Sequence, residues 1–272
     1  MESISILGCG WLGLPLAKSL LDKGYRVKGS TRSFTQLSHL KSNGIEPHYI
    51  SLNPYVIGRN IRGFLSSDVL VINFPPERRE DIESYHKAQI KSLLYELKFS
   101  QITKVVFISS TSVYPDLNRE VVEEDAASPE KSSGRALFSV ERLLLSDKSL
   151  KTIVLRFGGL IGYDRKPGRF LSGRKGLTGG ESPVNLIHRD DCTGIIQSIL
   201  TKDIWGEIFN ACADTHPKRK DYYLEQAKIG GFDPPEFDNT EKSGYKIVNS
   251  GKLKRLTGYV LKYPDPSKIR DN

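Results

Sequence analysis

Residues Gly8 to Gly13, GCGWLG, follow the short apolar stretch Ser3–Leu7 and open a segment with leucines at helical spacing. A G-x-G-x-x-G string alone is a weak signal, but between a buried strand and an amphipathic helix it predicts a dinucleotide-phosphate loop. Gly8 permits the tight turn, Gly10 lets the backbone approach a pyrophosphate, and Gly13 lets helix and strand pack closely. Trp11 and Leu12 complete the loop, where the helix N-terminus offers unpaired N–H groups to the anion. An NAD site places a carboxylate about 20 residues after the glycines, for the ribose 2′-hydroxyl. Here Ser30-Thr31-Arg32-Ser33 stands in that place, and no acid occurs between Asp22 and Glu46. The hydroxyls of Thr31 and Ser33 with the Arg32 guanidinium suit a 2′-phosphate, so the expected cofactor is NADP. NAD stays open as the alternative, because Arg32 could instead stack on adenine.

These residues need a frame in which strand and helix alternate. Strands are predicted at Ser3–Leu7, Tyr25–Gly29, His48–Leu52, Val69–Phe74, Lys104–Ser109 and Thr152–Phe157. Helices are predicted between them, at Leu12–Lys23, Phe34–Lys41, about 80–97 and about 133–145. VLVINF (69–74) and KVVFIS (104–109) are continuous apolar runs, as in strands covered on both faces. The fold class that follows is α/β, a Rossmann-type doubly wound parallel sheet. After about residue 158 the pattern loosens into Gly, Pro and Arg, then regular structure returns at Asp190–Leu200 and Glu207–Ala211. The expected organisation is a dinucleotide-binding part over 1–157 and a small C-terminal substrate-side cap over 158–272 interleaved with the sheet, with one domain over 1–272 as the alternative.

Composition narrows the function classes. Charged residues are 26% of the 272 and hydrophobic ones 38%, ordinary for a globular chain with a sizeable core. The net charge of +8 suits an anionic small molecule as well as a nucleic acid. The basic residues are scattered in pairs and triplets without interleaved aromatics, so nucleic acid is not an expected partner. No apolar run reaches a membrane span, and the first residues read as a buried strand and not as a secretion signal. Three widely spaced cysteines, Cys9, Cys192 and Cys212, fit neither a disulfide framework nor a metal site and point to a reducing cytoplasm. Cys9 is read as a small buried residue.

With GCGWLG, INFPP (72–76), VVFISSTSVYP (105–115), LRFGGLIG (155–162) and VNLIHRDD (184–191) in this order, the chain resembles a known family. It is similar to the extended and atypical branch of the short-chain dehydrogenase/reductase superfamily, the NAD(P)-dependent epimerase/dehydratase group, over residues 3–260. The resemblance implies that Ser110 bonds the substrate hydroxyl or carbonyl. It also implies that Phe74, Pro75, Pro76 and Ser109 line the cofactor. His188 falls in the segment that shapes the substrate side, with a structural role as its plainer reading, and Asp190 reads as a helix cap. Tyr114 reads as structural, and Arg156 as the partner of a carboxylate. A homodimer through the helices near 80–97 and 133–146 is inherited from the resemblance alone.

One departure bears on the chemistry. The family's general acid/base is the Tyr of Y-x-x-x-K, with the Lys one helical turn on lowering its pKa and holding the nicotinamide ribose. In SSGRALFSVE (132–141) those two places hold Ser133 and Leu137. A serine hydroxyl with no lysine beside it is a poor proton relay, and the Arg135 guanidinium stays protonated near neutrality. Arg135 can still bind a phosphate or carboxylate, and Arg174, in the Gly-rich loop, is the other candidate for an anionic substrate. Two readings remain. One is an NADP(H)-dependent oxidoreductase or epimerase acting on a carbonyl or hydroxyl of a small anionic substrate, with Ser110 orienting the oxygen and a non-standard proton relay. The other is a protein that binds NADP(H) without turnover.

Overall fold

A computed structural model describes residues 2–238 and 243–270. The chain begins with β1 (Ser3–Leu7), α1 (Gly13–Asp22), β2 (Arg26–Thr31), α2 (Phe34–Ser42), β3 (Glu46–Leu52), β4 (Val56–Gly58) and α3 (Ile61–Phe64). It continues through β5 (Val69–Ile72), α4 (Ile82–Leu97), β6 (Lys104–Ser110), β7 (Arg119–Val121), α5 (Ser132–Ser146), β8 (Lys151–Phe157) and β9 (Gly159–Ile161). The last elements are α6 (Pro167–Phe170), β10 (Leu186–His188), α7 (Arg189–Thr201), β11 (Ile208–Ala211), α8 (Arg219–Gly230), β12 (Lys246–Val248) and α9 (Gly251–Thr257).

The main sheet has the order β11-β8-β6-β5-β1-β2-β3-β4. Pairing is parallel from β3 through β2, β1 and β5 to β6, while the short β4 lies antiparallel on β3. The fold is the α/β Rossmann type. Every residue of β1 and β5 is buried, which is why both read as unbroken apolar runs with only serine as a polar interruption. Helix α1 buries Gly13, Leu16, Ala17 and Leu20, one stripe at helical period. Gly24 follows it in the left-handed region (φ +85°) and lets the chain turn into β2. From β1 the strand order steps one way through β2 and β3 and the other way through β5 and β6. The loops after β1 and β5 therefore lie at the switch point where α/β sheets bind ligands.

Element limits differ from the sequence expectation at both of those places. Strand β2 runs two residues further, because Ser30 and Thr31 pair with His48 and Tyr49 of β3. Strand β5 stops at Ile72, two residues early, because Asn73 turns to bond the glycine loop. The short β4 and α3 had no periodic signal to announce them.

The chain divides into two compact units. Unit 1 is Met1–Val113, Pro129–Leu155 and Ile199–Ile208; unit 2 is Tyr114–Ser128, Arg156–Ser198 and Phe209–Asn272. The single cut expected after residue 157 is thus corrected to an interleaved one, in which the first half of the sequence gives 114–128 to unit 2. The physical reason lies in unit 2's own ladders. Strand β7, from the first half, pairs in parallel with β12, and β9 pairs in parallel with β10. Beside an apolar cluster of Ile161, Val184, Leu186 and Tyr222, unit 2 buries a polar network: Arg156 Nη1 donates to the Tyr114 hydroxyl and to the Glu123 carbonyl, both at 2.7 Å. Tyr114 in turn donates to Asn210 Oδ1 at 2.6 Å, and the Asn210 N–H donates to the Glu123 carboxylate at 2.8 Å. Among the described residues, no helix is long and apolar enough to cross a membrane.

Candidate cofactor site

The glycine loop is built by steric demand. Gly8 has φ +109°, and a Cβ there would stand 2.4 Å from the Asn73 carbonyl oxygen. A Cβ on Gly13 would stand 2.2 Å from the Gly8 carbonyl oxygen and 2.8 Å from Asn73 Nδ2. At Gly10 the opposite holds, since a Cβ would meet nothing within 4 Å, and the residue is exposed. Two glycines close the loop on its support and the middle one opens it outward. The residues present therefore fit a dinucleotide pyrophosphate, laid on a bare backbone at the start of α1. Trp11 is half-buried, whereas the Leu12 side chain is core, so Leu12 has only backbone to offer a ligand.

Two side chains that sequence reasoning passed over hold this loop. The Gly8 N–H donates to Ser30 Oγ at 2.9 Å, and the Cys9 N–H donates to the Ser30 carbonyl at 2.9 Å. Asn73 Nδ2 donates to the Gly8 carbonyl at 2.8 Å, across the switch point. The available signal was a lone amide ending the apolar run VLVIN. Asn73→Ala strips the Gly8 carbonyl of its donor, a loss of about 1–3 kcal/mol for a part-buried group. The expected outcome is a lower urea midpoint with faster amide exchange at Gly8–Gly13; exchange unchanged there would mean that Asn73 does not brace the loop. Burial pushes the Cys9 thiol up to about 12, so at neutral pH it is a packed thiol and not a nucleophile.

At the end of β2, Thr31 Oγ1 accepts the Ser33 N–H at 3.1 Å, and the Ser33 hydroxyl lies 2.8 Å from that of Thr35. Arg32 is exposed, and its Nη1 reaches Glu77 Oε1 at 2.6 Å. The sequence shows no acid near Arg32, but the fold brings one from the segment after β5. Spacing along the chain carries no trace of that pairing.

Phe74, half-buried, meets the His86 ring edge-on, with centroids 5.4 Å apart, next to the exposed Pro75 and half-buried Pro76. Gln89 Nε2 donates to the Leu52 carbonyl, so its Oε1 accepts from His86 Nδ1 at 3.0 Å. That leaves His86 Nε2 as a buried acceptor without a hydrogen-bond partner among the described residues. Burial holds the ring's pKa below the usual histidine value, which favours the neutral form.

The chemistry-bearing serines separate. Ser109 donates to Glu141 Oε1 on α5 at 2.5 Å, and both residues are buried. Its hydroxyl is committed to a helix–sheet tie, which corrects its expected place at the cofactor. Ser110 is half-buried, and its Oγ accepts only the nearby Ser112 N–H at 3.1 Å, so the hydroxyl proton can serve a further acceptor. Gly134 explains the S-G-R pattern in part: a Cβ there would lie 2.2 Å from the Ser112 carbonyl oxygen, so only glycine lets α5 come this close to the turn after β6. Leu137 is buried at 5% exposure and Ser133 is half-buried. Arg135 bonds Glu83 of α4 at 2.7 Å and the Glu130 carbonyl at 2.6 Å. The pair is exposed on both side chains, so an anionic group can compete with Glu83 for this guanidinium.

In unit 2, His188 has a fully buried side chain. Its Nδ1 accepts the Asp190 N–H at 3.2 Å, and its ring lies 3.9 Å from that of Tyr263, centroid to centroid. A Cβ on Gly162 would stand 2.4 Å from its Nε2. His188 is thus a packing and helix-capping residue, a correction to its placement at the substrate. It takes the cap expected of Asp190, whose carboxylate accepts the Tyr163 hydroxyl. Tyr114 is buried and its phenol pKa is raised by burial, so it cannot replace the missing tyrosine as a base. Arg174 is exposed, and its guanidinium has no bonding partner among the described residues.

Comparison with known proteins agrees with the fold. The chain is 34% identical over 269 residues to protein YeeZ of Escherichia coli strain K12, covering 98% of each. Its fold matches UDP-glucuronic acid 4-epimerase from Bacillus cereus in complex with NAD, with a TM-score of 0.78, 20% identity and coverage of 96% and 94%. It also matches a conserved protein of unknown function from Silicibacter pomeroyi, with a TM-score of 0.76, 23% identity and coverage of 97% and 95%. No family model matches the sequence.

Proposed function

The chain belongs to the family of Escherichia coli YeeZ, and from that premise and the loop geometry we propose an NADP(H)-dependent oxidoreductase of the epimerase/dehydratase kind. The observation that carries the reading is the contrast within the glycine loop, closed at Gly8 and Gly13 and open at Gly10. A bound nicotinamide dinucleotide supplies hydride transfer. The protein's share is to hold it and to orient a substrate oxygen. The backbone of Gly8–Gly13 takes the pyrophosphate, and Thr31, Arg32 and Ser33 take the 2′-phosphate. Ser110 is the proposed donor to a substrate carbonyl or hydroxyl. Arg174, taken by itself, is the proposed contact for an anionic group. With Ser133 and Leu137 in the places of the tyrosine and lysine, the proton comes from water or the substrate itself.

Glu77 opposes the choice of NADP, and the magnitudes support keeping that choice. An exposed ion pair is worth about 0–1 kcal/mol, and Arg32 is 69% exposed on its side chain. A dianionic 2′-phosphate gripped by a guanidinium makes shorter, stronger, charge-assisted bonds and displaces the carboxylate. Fluorescence titration with NADPH and NADH tests this. Arg32→Asp is expected to weaken NADPH by about tenfold or more and NADH by much less. Glu77→Gln is expected to tighten NADPH severalfold and leave NADH unchanged. Equal changes for the two cofactors would refute the 2′-phosphate role.

A second reading, dinucleotide binding without turnover, draws on Leu137. A buried leucine in the lysine's place removes both the ribose contact and the charge that activates a base. Ser110→Ala separates the readings, because it stops turnover of a carbonyl substrate in an enzyme and changes nothing in a binding module.

A further inference from the structure

Unit 2 contains a cavity of about 190 Å³ that none of the functions above uses. It lies where α6 meets α8, beside the turn after β9 and the C-terminal residues Ile269 and Arg270. The two helices touch closely at one point, since a Cβ on Gly168 would stand 2.3 Å from the Gln226 carbonyl oxygen.

Its lining has two characters. Ile161, Ile229, Ile269 and Pro167 are apolar. Gln226 lines it too, is 8% exposed, and its Nε2 has no hydrogen-bond partner among the described residues. A buried donor left without an acceptor costs about 1–3 kcal/mol, so an occupant with an acceptor oxygen is favoured. Three cations also line the space: Arg165, Lys166 and Arg270. Arg270 is engaged by Glu225 at 3.2 Å and by the Ser267 and Ile269 carbonyls, while the exposed Lys166 ammonium has no ion-pair partner among the described residues.

We infer that this cavity binds a small carboxylate carried on an aromatic ring or a branched apolar body. Volume sets the size of the body, since an apolar cavity of about 150 Å³ is enough to hold benzene. The extra room here, on the side of Gln226, accommodates a carboxylate. One carboxylate oxygen accepts from Gln226 Nε2, the net negative charge faces Lys166 and Arg165, and the ring lies against the isoleucines. Water alone would satisfy the amide but would leave the apolar wall wet. A phosphate alone would satisfy the charges and leave the same wall empty.

The test is calorimetric titration of the whole protein, free of dinucleotide, with phenylacetate and with its neutral isostere phenylacetamide. Phenylacetate is expected to bind saturably, and phenylacetamide at least about tenfold more weakly. Gln226→Leu removes the buried donor and Lys166→Glu reverses the rim charge; each is expected to weaken phenylacetate by about tenfold. Lys166 is exposed, so its variant keeps the test valid even where Gln226→Leu fails to fold. Ile229→Trp, which fills the apolar wall, is expected to abolish binding. No saturable binding of phenylacetate, equal binding of acid and amide, or binding unchanged in Ile229→Trp would each overturn the assignment.

Discussion

Replacing Gly10 by valine is expected to lower NADPH affinity by more than about 100-fold, roughly 3 kcal/mol, while the melting temperature moves by no more than about 2 °C. The two halves of this outcome have separate causes. A side chain at Gly10 enters open space, so the folded protein loses no contact, and the Leu14 N–H keeps its 3.0 Å bond to the Gly10 carbonyl. That same open space is where the pyrophosphate must approach the backbone, and two methyl groups fill it. Substitution at Gly13 differs in kind, because its Cβ would run into the Gly8 carbonyl at 2.2 Å and unseat α1 from β1. Gly10→Val is therefore the cleaner probe. Retained affinity in that variant would remove the glycine loop from the binding site, whatever the fold.

The largest expected effect on stability comes from Arg156→Leu, at about 3–5 kcal/mol. Arg156 is 2% exposed, the largest side chain so deeply buried, and its guanidinium satisfies the Tyr114 hydroxyl and the Glu123 carbonyl. Leucine leaves both buried acceptors without that donor and replaces the guanidinium by a smaller apolar side chain. Urea unfolding followed by tyrosine fluorescence should show the loss. Tyr114→Phe, which keeps the ring and deletes one hydroxyl, should cost only about 1 kcal/mol. A change below about 1 kcal/mol for Arg156→Leu would mean that the polar centre of unit 2 is an incidental contact.

What the sequence disclosed, and what it withheld, follows the range of each interaction. The glycine loop and the parallel sheet were legible because their causes are local: bare backbone, apolar runs and helical spacing within a few residues. Tyr114 as a structural phenol was also anticipated, whereas Arg156, expected to meet a carboxylate, bonds the Tyr114 hydroxyl and the Glu123 backbone carbonyl. The Arg32–Glu77 pair, the Asn73 brace and the Ser109–Glu141 tie were hidden, since each joins residues that only a crossover brings together. His188 misled for a related reason. It has the right chemical type for a substrate contact, but type does not reveal that Gly162 and Tyr263 enclose it. The interleaved units escaped because strands as short as β7 and β12 leave too few residues for alternation to register.

The burial of Leu137 has an evolutionary consequence. A position 5% exposed has been absorbed into the core, where its neighbours have settled around an apolar shape. A lysine arriving there alone would carry an ammonium out of water with no partner waiting for it, at a cost of several kcal/mol. Such a step is a loss before it is a gain, and the tyrosine that would make it useful must arrive separately at Ser133. Installing that pair therefore takes two substitutions, of which the lysine is destabilising when it comes first.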